Sequence, residues 1–305
     1  MAQNPTFSNQ VQLLVNVLPS VATQPCFALK GGTALNLFVR DLPRLSVDID
    51  LAYLPIADRE SSLVGIDKAL ANITAEIIRT IPNVKVNASL VRGTDKRIKL
   101  LVSRNGVSIK IEVTPVLRGS VYESELRETA SRVQAEFGYA QMQLLSFEDL
   151  YAGKLCAALD RQHPRDLYDV KFLLQNEGIS EKLKNAFMVY LLGHPRPMSE
   201  VIKPRLKDIE AIYHSEFEGM TIDEVSLESL LETRNEMITK LHSTLTEKDK
   251  QFLLSIKRGD ADWNSFTLPE VQYLPAIQWK LHNLDQMQAD KRKQSLDALK
   301  VALNG

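Results

Sequence analysis

The stretch Phe27-Ala-Leu-Lys-Gly-Gly-Thr-Ala-Leu-Asn-Leu-Phe38, followed by Arg44-Leu-Ser-Val-Asp-Ile-Asp-Leu51, decides the fold of this 305-residue chain. It reads as a buried segment, a glycine turn at Gly31 and Gly32, a short helix over 33–40, and a strand over 46–54 carrying Asp48 and Asp50. Residues i and i+2 of a strand share a face. Asp48 and Asp50 therefore project together with Ser46, while Val47, Ile49 and Leu51 point into a core. Two carboxylates side by side, with no lysine next to them in the sequence, repel one another unless a cation sits between them. Mg2+, or Mn2+ in its place, meets that need, because it takes oxygen ligands from one or two carboxylates and from substrate phosphates. Taken singly the signals are weak: Gly-Gly is commonly a tight turn, and Asp-x-Asp a solvated strand face. Their order, with Arg44 and Ser46 between them, is what carries the reading.

Glycines upstream of an Asp-x-Asp strand are the layout of the nucleotidyltransferase superfamily, with its polymerase-beta-like fold. The wording Lys30-Gly-Gly-Thr-Ala-Leu35, then Arg44-x-Ser-x-Asp-Ile-Asp-Leu51, resembles more closely the AbiEii/AbiGii toxins. These are the nucleotidyltransferase-like toxins of type IV toxin–antitoxin and phage abortive-infection systems. A longer glycine-to-aspartate gap, and Gly32-Thr33 in place of Gly-Ser, both suit the toxin branch. Gly31 and Gly32 would let the backbone approach a triphosphate and turn amides toward it, with Thr33 opening the helix. The resemblance implies that Lys30, Gly31, Gly32, Thr33, Arg44 and Ser46 bind the nucleotide, and that Asp48 and Asp50 are catalytic and hold the metal.

Beyond a helical stretch at 60–79, three strand-like runs follow at 84–91, 97–102 and 107–114, the last two joined through Arg104-Asn105-Gly106 as a hairpin. Val107, Ile109, Ile111 and Val113 take one face of the last strand; Ser108, Lys110, Glu112 and Thr114 take the other, and Pro115 limits its continuation. Nucleotidyl transfer uses metal ions on the attacking and leaving oxygens, normally held by a third carboxylate besides the first two. Glu112 is the candidate. The superfamily often has Asp there, and the competing reading is a solvated carboxylate on an edge strand paired with Lys110.

From Ser146 the pattern turns helical. Ser146 caps a helix reaching Leu159 or Asp160, with Glu148 or Asp149 at its positive end, and a second helix opens at Arg165-Asp166. The stretch from Asp149 to Asp169 resembles the same toxin family in its Lys…Arg…Arg-Asp-x-x-Asp pattern, here Lys154, Arg161, Arg165, Asp166 and Asp169. The resemblance implies that Lys154 touches the nucleotide phosphates. Asp169 acts near the attacking hydroxyl or orients the basic residues, and Arg161, Arg165 and Asp166 support them. The competing reading is a salt-bridge network pinning two helices, with Arg161 and Arg165 neutralised by Asp166 and Asp169. His163 reads as an incidental loop histidine, and Tyr151 and Tyr168 as packing residues.

Apolar residues make up 44% and charged residues 25% of the chain, ordinary for a globular protein, and the length favours two domains. A net charge of -1 gives no global attraction for nucleic acid, so RNA would need a local basic patch such as Lys291-Arg-Lys. Cys26 and Cys156 read as buried free thiols. No basic leader with an apolar run, and no stretch of about 18 apolar residues, is present, so a cytoplasmic protein with no membrane contact is expected. Gly193-His-Pro-Arg-Pro is the clearest linker, with further helical segments around 205–217, 226–255 and 279–303.

The expectation is an α/β fold: a mixed nucleotidyltransferase sheet over 1–145, then a mainly helical domain over 146–305 completing the active cleft. The reaction implied is transfer of a nucleoside monophosphate from an NTP to a hydroxyl with Mg2+. The 3′ end of tRNA is one acceptor known in the family, and an antitoxin encoded nearby is the expected partner. The alternatives are a protein or small-molecule acceptor, or a non-catalytic partner-binding protein that retains the fold.

Overall fold

The computed structural model describes residues 5–304. They fall into two compact units, one running up to Leu150 and including Gly219–Glu224, the other comprising Tyr151–Glu218 and the chain from Val225 onward.

The first unit contains α1 (Pro5–Ala22), β1 (Phe27–Lys30), α2 (Gly31–Ala34, continued by a π turn at Leu35–Val39), β2 (Asp48–Tyr53) and α3 (Arg59–Thr80). Then come β3 (Lys85–Leu90), β4 (Arg97–Arg104), β5 (Val107–Arg118), β6 (Glu125–Glu128), α4 (Ser131–Phe137) and β7 (Gln141–Leu144). The strands form one seven-stranded mixed sheet in the order β3-β4-β5-β2-β1-β7-β6. β2 runs parallel to β5 and β1 to β7, and the other pairs are antiparallel. This sheet, followed by a mainly helical region, is the α/β class that the sequence predicts and is consistent with a polymerase-beta-like fold.

One sheet face is apolar because β2 and β5 alternate. Ile49, Leu51, Ile109, Ile111 and Val113 are buried, and α1 and α3 pack on the sheet. On α3, Leu63, Ile66, Leu70, Ile73 and Ile77 recur every three or four residues and are all buried. Ile78 falls one residue off that stripe and is 58% exposed, although its type alone suggested core. Each fully buried Leu or Ile of this layer contributes about 1.5–3 kcal/mol of apolar transfer.

Asn105 and Gly106 adopt φ of 51° and 78°, so the hairpin between β4 and β5 has the left-handed turn that its Asn-Gly pair favours. Two prolines do not end the elements that carry them, although Pro115 was expected to limit β5. α1 continues through Pro19 to Ala22, because Leu18 and Val21 on either side are fully buried and packing holds the last turn. β5 continues past Pro115 to Arg118 through a bulge. Its register with β2 jumps from Leu51↔Val113 to Tyr53↔Arg118, leaving the proline outside regular pairing. Strands β6 and β7 were not foreseen; at four residues each they are too short for a period to stand out, although Gln141-Met-Gln-Leu144 does alternate with Met142 and Leu144 buried.

The helical unit takes most of α5 (Phe147–Arg161), then α6 (Pro164–Asn176), α7 (Glu181–Gly193), α8 (Met198–Ile202), α9 (Glu210–Glu216), α10 (Leu227–Thr244), α11 (Glu247–Arg258), α12 (Pro275–Asp285) and α13 (Ala289–Leu303). The segment expected as one helix over 226–255 breaks at Leu245, where Thr246 and Asp249 form a reciprocal cap that starts α11. The segment over 279–303 likewise divides into α12 and α13, and only Glu210–Glu216 of 205–217 is helical. Gly193-His-Pro-Arg-Pro joins α7 to α8 inside this unit and is held down: Arg196 Nη1 pairs with Asp160 (2.5 Å) and Lys280 Nζ donates to the His194 carbonyl (2.7 Å). Cys26 and Cys156 are both free thiols; Cys156 is buried and Cys26 partly so. No described helix is long and apolar enough to cross a membrane.

Candidate active site

Every element of the glycine–aspartate motif converges at the junction of β1, α2 and β2. Gly31 takes a φ of +73°, turning the chain from β1 directly into a helix. A Cβ built on it would lie 2.7 Å from Asp50 Oδ2, and one on Gly32 would lie 2.9 Å from both Arg44 Nη2 and Ser46 Oγ. Thr33 Oγ1 lies 3.0 Å from Ser46 Oγ and donates to the Asp48 carbonyl at 2.5 Å, tying the first helical turn to the carboxylate strand. Asn36 Nδ2 donates to the Gly32 carbonyl at 2.9 Å. Arg44 is buried and its loop is held by backbone bonds to Met220 and Ile222. The sequence placed Gly31, Gly32, Thr33, Arg44, Ser46, Asp48 and Asp50 in one site, and the structure brings them together.

Asp48 and Asp50 are half-buried on the polar face of β2, flanking buried Ile49. The sheet supplies what the linear sequence lacks. Lys30 stands opposite Asp50 on β1, Glu112 stands opposite Asp50 on β5, and Lys99 opposite Glu112 on β4. One row across four strands therefore reads Lys30, Asp50, Glu112, Lys99, with Lys110 opposite Asp48 in the next. β5 is an interior strand, and Glu112 pairs with Lys99 (3.2 Å) rather than with Lys110.

Among the described residues, no three His, Cys, Asp or Glu side chains gather closely enough to hold a metal ion. The set that fits is Asp48 with Asp50: hard oxygen donors suited to Mg2+, beside a cradle that a Cβ on Gly31 would fill. Glu112 adjoins the pair in register, with its carboxylate turned to Lys99.

Gly31→Ala is accordingly expected to cost about 1–2 kcal/mol from the left-handed backbone alone, and to push the Asp50 carboxylate aside. A fall in melting temperature together with loss of nucleotide transfer checks this; full activity in the alanine variant would show that the close approach is dispensable.

In the helical unit, Lys154 of α5 and Asp166 and Asp169 of α6 form a buried ionic cluster. Lys154 Nζ lies 2.8 Å from Asp166 Oδ1 and 2.9 Å from Asp169 Oδ2, with all three side chains at most 7% exposed. Arg161 reaches the same carboxylate from the surface, Nε to Asp166 Oδ2 at 2.5 Å and Nη2 to Oδ1 at 3.0 Å. Burial opposes ionisation of Asp166. The Lys154 charge and the Arg161 hydrogen bond outweigh it and hold the carboxyl well below the usual range. Arg165 turns away: it faces Glu216 at 3.5 Å rather than Asp169. His163 is the N-cap of α6, accepting from the Arg165 amide (3.1 Å) and meeting Glu216 at 3.1 Å.

Asp149 belongs to the first unit's framework. It accepts from the amides of Val121 (2.9 Å) and Tyr122 (3.0 Å) and from Ser146 Oγ (2.7 Å), fixing the loop after β5 to the start of α5. Tyr151 and Tyr168 are buried, the latter packed edge-on against Phe172. Lys99 was not assigned to the site from sequence, whereas Lys110 was read on the Glu112 face. The signal that could have found Lys99 was the alternation of β4, which places it on the carboxylate face.

Residues 12–283 match the sequence profile of the family described as nucleotidyl transferase AbiEii toxin, type IV toxin–antitoxin system. Among solved structures the chain resembles MenT4, a nucleotidyltransferase toxin from Mycobacterium tuberculosis H37Rv, with a TM-score of 0.60 and 15% sequence identity. The alignment covers 97% of this chain and 93% of that one. No curated protein sequence matches significantly.

Proposed function

Because the chain belongs to the AbiEii family of nucleotidyl transferase toxins, we propose that it transfers a nucleoside monophosphate from an NTP to a hydroxyl on RNA, the 3′ end of tRNA being the acceptor to test first. Family membership implies a nucleotide substrate and an antitoxin partner. The observation that carries the reading is the assembly of Gly31, Gly32, Ser46, Asp48 and Asp50 around one turn, with the Asp50 carboxylate packed so close to Gly31 that a Cβ there would lie 2.7 Å from Asp50 Oδ2.

The roles follow from the chemistry of each group. The α2 amides after Gly31 point out of a helix start and receive phosphate oxygens. Lys30, and Arg44 beside Gly32, balance phosphate charge. Ser46 and Thr33 hold the carboxylate strand in register with that helix. Asp48 and Asp50 would hold Mg2+, with Glu112, opposite Asp50 in register, as the third carboxylate of that face. When bound, the ion would neutralise charge developing on the phosphoryl and leaving oxygens. Lys154 is assigned to the triphosphate as a compact cation, with Asp166 and Asp169 fixing its ammonium. Asp169, holding Lys154 at 2.9 Å, orients the cation in this reading. Arg161, 62% exposed at its side chain, remains accessible to an anion while bonded to Asp166.

Incubating the protein with each labelled NTP and total RNA, then comparing label in RNA, protein and small-molecule fractions, tests the proposal. RNA label that requires a divalent cation and disappears with added antitoxin is the expected result. Label confined to protein or small molecules would move the acceptor elsewhere, and no label in any fraction would favour a non-catalytic binding protein.

A further inference from the structure

One basic feature lies outside every residue assigned above. Arg234, on α10, is only 7% exposed, yet no carboxylate pairs with it among the described residues. Its Nη1 donates to Gln162 Oε1 (3.1 Å) and to the Lys207 carbonyl (2.7 Å), while the buried Nε has no hydrogen-bond partner. A buried cation with incomplete hydrogen bonding is costly unless something anionic repays the desolvation.

Gln162 and Lys207, the two groups that Arg234 touches, line an open cleft of about 470 Å³. Arg196, Arg205 and Lys207 line it together with Asp160 and Asp208, and Arg196 is already paired with Asp160 (2.5 Å) and with Glu200 (2.9 Å). Gln162 is buried and serves as the floor. Its Oε1 also accepts from the Lys207 amide (3.0 Å) and its Nε2 donates to the Arg205 carbonyl (2.9 Å), so the cationic loop is fixed in place rather than left to solvent. Such a site is preorganised, which lowers the ordering cost of binding.

Arg205 and Lys207, two residues apart on the cleft wall, pair with no carboxylate among the described residues, and two such cations suit the successive phosphates of a polyanion more than a single nucleotide.

We propose that the cleft formed by Gln162, Arg196, Arg205 and Lys207 over the buried Arg234 is a phosphate-binding site for the backbone of the acceptor RNA. This rests on the reading of RNA as acceptor. The ligand chemistry is a phosphodiester, recognised by charge and without base readout. A free nucleotide would present the same chemistry, so the test separates the two sources.

The test compares the full chain with its Arg205→Glu/Lys207→Glu double variant and with Arg234→Gln, using a fluorescent RNA hairpin with a single-stranded 3′ end. Affinity is measured across a KCl series, and NTP affinity by calorimetry. The double variant is expected to bind the hairpin at least tenfold more weakly, with a salt slope shallower by about 1.4, from ~0.7 for each of two phosphate contacts. Its NTP affinity is expected to hold. Arg234→Gln is expected to weaken the hairpin while retaining its melting temperature, an outcome that a purely structural arginine would not produce. Hairpin binding equal to the parent protein in the double variant overturns the cleft assignment and leaves the proposed reaction standing. Loss of NTP affinity in place of RNA affinity gives the site to the nucleotide and overturns the RNA assignment. A parent protein that neither binds nor labels RNA overturns the acceptor reading and this inference together.

Discussion

Replacing Asp50 with alanine is expected to abolish nucleotide transfer, by at least about a thousandfold, or ~4 kcal/mol of transition-state stabilisation, while the protein remains folded. Asp50 sits in a half-buried position on the polar face of β2, and the strand's burial is carried by Ile49 and Leu51 on the other side. Removing the carboxylate would therefore delete the proposed metal ligand without opening the core. Lys30 and Glu112 stand opposite Asp50 across the sheet, so the loss should alter the charge of that row locally. Asp48→Asn should behave similarly in transfer and should keep or raise the melting temperature in the absence of divalent cations, because like charges on one face repel. Transfer of labelled nucleotide and thermal melting with and without Mg2+ measure both halves. Undiminished toxicity from a stably folded Asp50→Ala protein would falsify the assignment.

The second large effect is on stability. Asp166→Ala is expected to cost about 3–5 kcal/mol, the usual consequence of leaving a buried charge without its partner. Lys154, 7% exposed at its side chain, would then keep Asp169 but lose the carboxylate at 2.8 Å. Arg161 is mostly in solvent and adds little to this cost. The pH dependence has a definite sign. Asp166 is held ionised well below the usual carboxylate range in the folded protein, burial being outweighed by Lys154 and Arg161. Its contribution is therefore fully present above the unfolded carboxylate pKa, about 3.9, and is lost as pH falls below that toward the folded value. The gap in stability between the parent protein and Asp166→Ala should be constant near neutrality and shrink below about pH 4. Denaturant melts from pH 3 to pH 7 would show it. A variant that keeps its stability but loses NTP affinity would mean that Asp166 acts mainly on the nucleotide; loss of both is the outcome expected from a cluster that pins two helices and presents Lys154.

These two clusters show different degrees of legibility. The β1–α2–β2 motif was readable because its constraints are local: a residue at positive φ, a two-residue strand period, and a helix start are all set within twenty-five residues. The turn at Gly31 and the shared face of Asp48 and Asp50 could be read from spacing, and their assignment to one site came from the family resemblance. That Lys99 stands opposite Glu112, and Lys110 opposite Asp48, could not be read, since which strand lies beside which depends on the order β4-β5-β2-β1 and not on sequence distance. The same holds for Arg165, whose i,i+4 spacing to Asp169 suggested a pair. The chain instead brings Glu216, fifty residues on, to within 3.5 Å.

By itself the sequence determined the α/β class, the glycine turn, the carboxylate strand, the Asn-Gly hairpin and the helices on which Lys154, Asp166 and Asp169 sit. Periodicity and turn chemistry specify such features within one or two elements. Tertiary structure alone decided that β5 passes Pro115 through a bulge, that Glu112 answers Lys99, and that Lys154 joins two buried aspartates. It also decided that Arg234 lies buried beneath a basic cleft. Each of these depends on long-range register or on burial, and the free energy of a charge changes by several kcal/mol with its depth, a quantity that no local stretch of residues encodes.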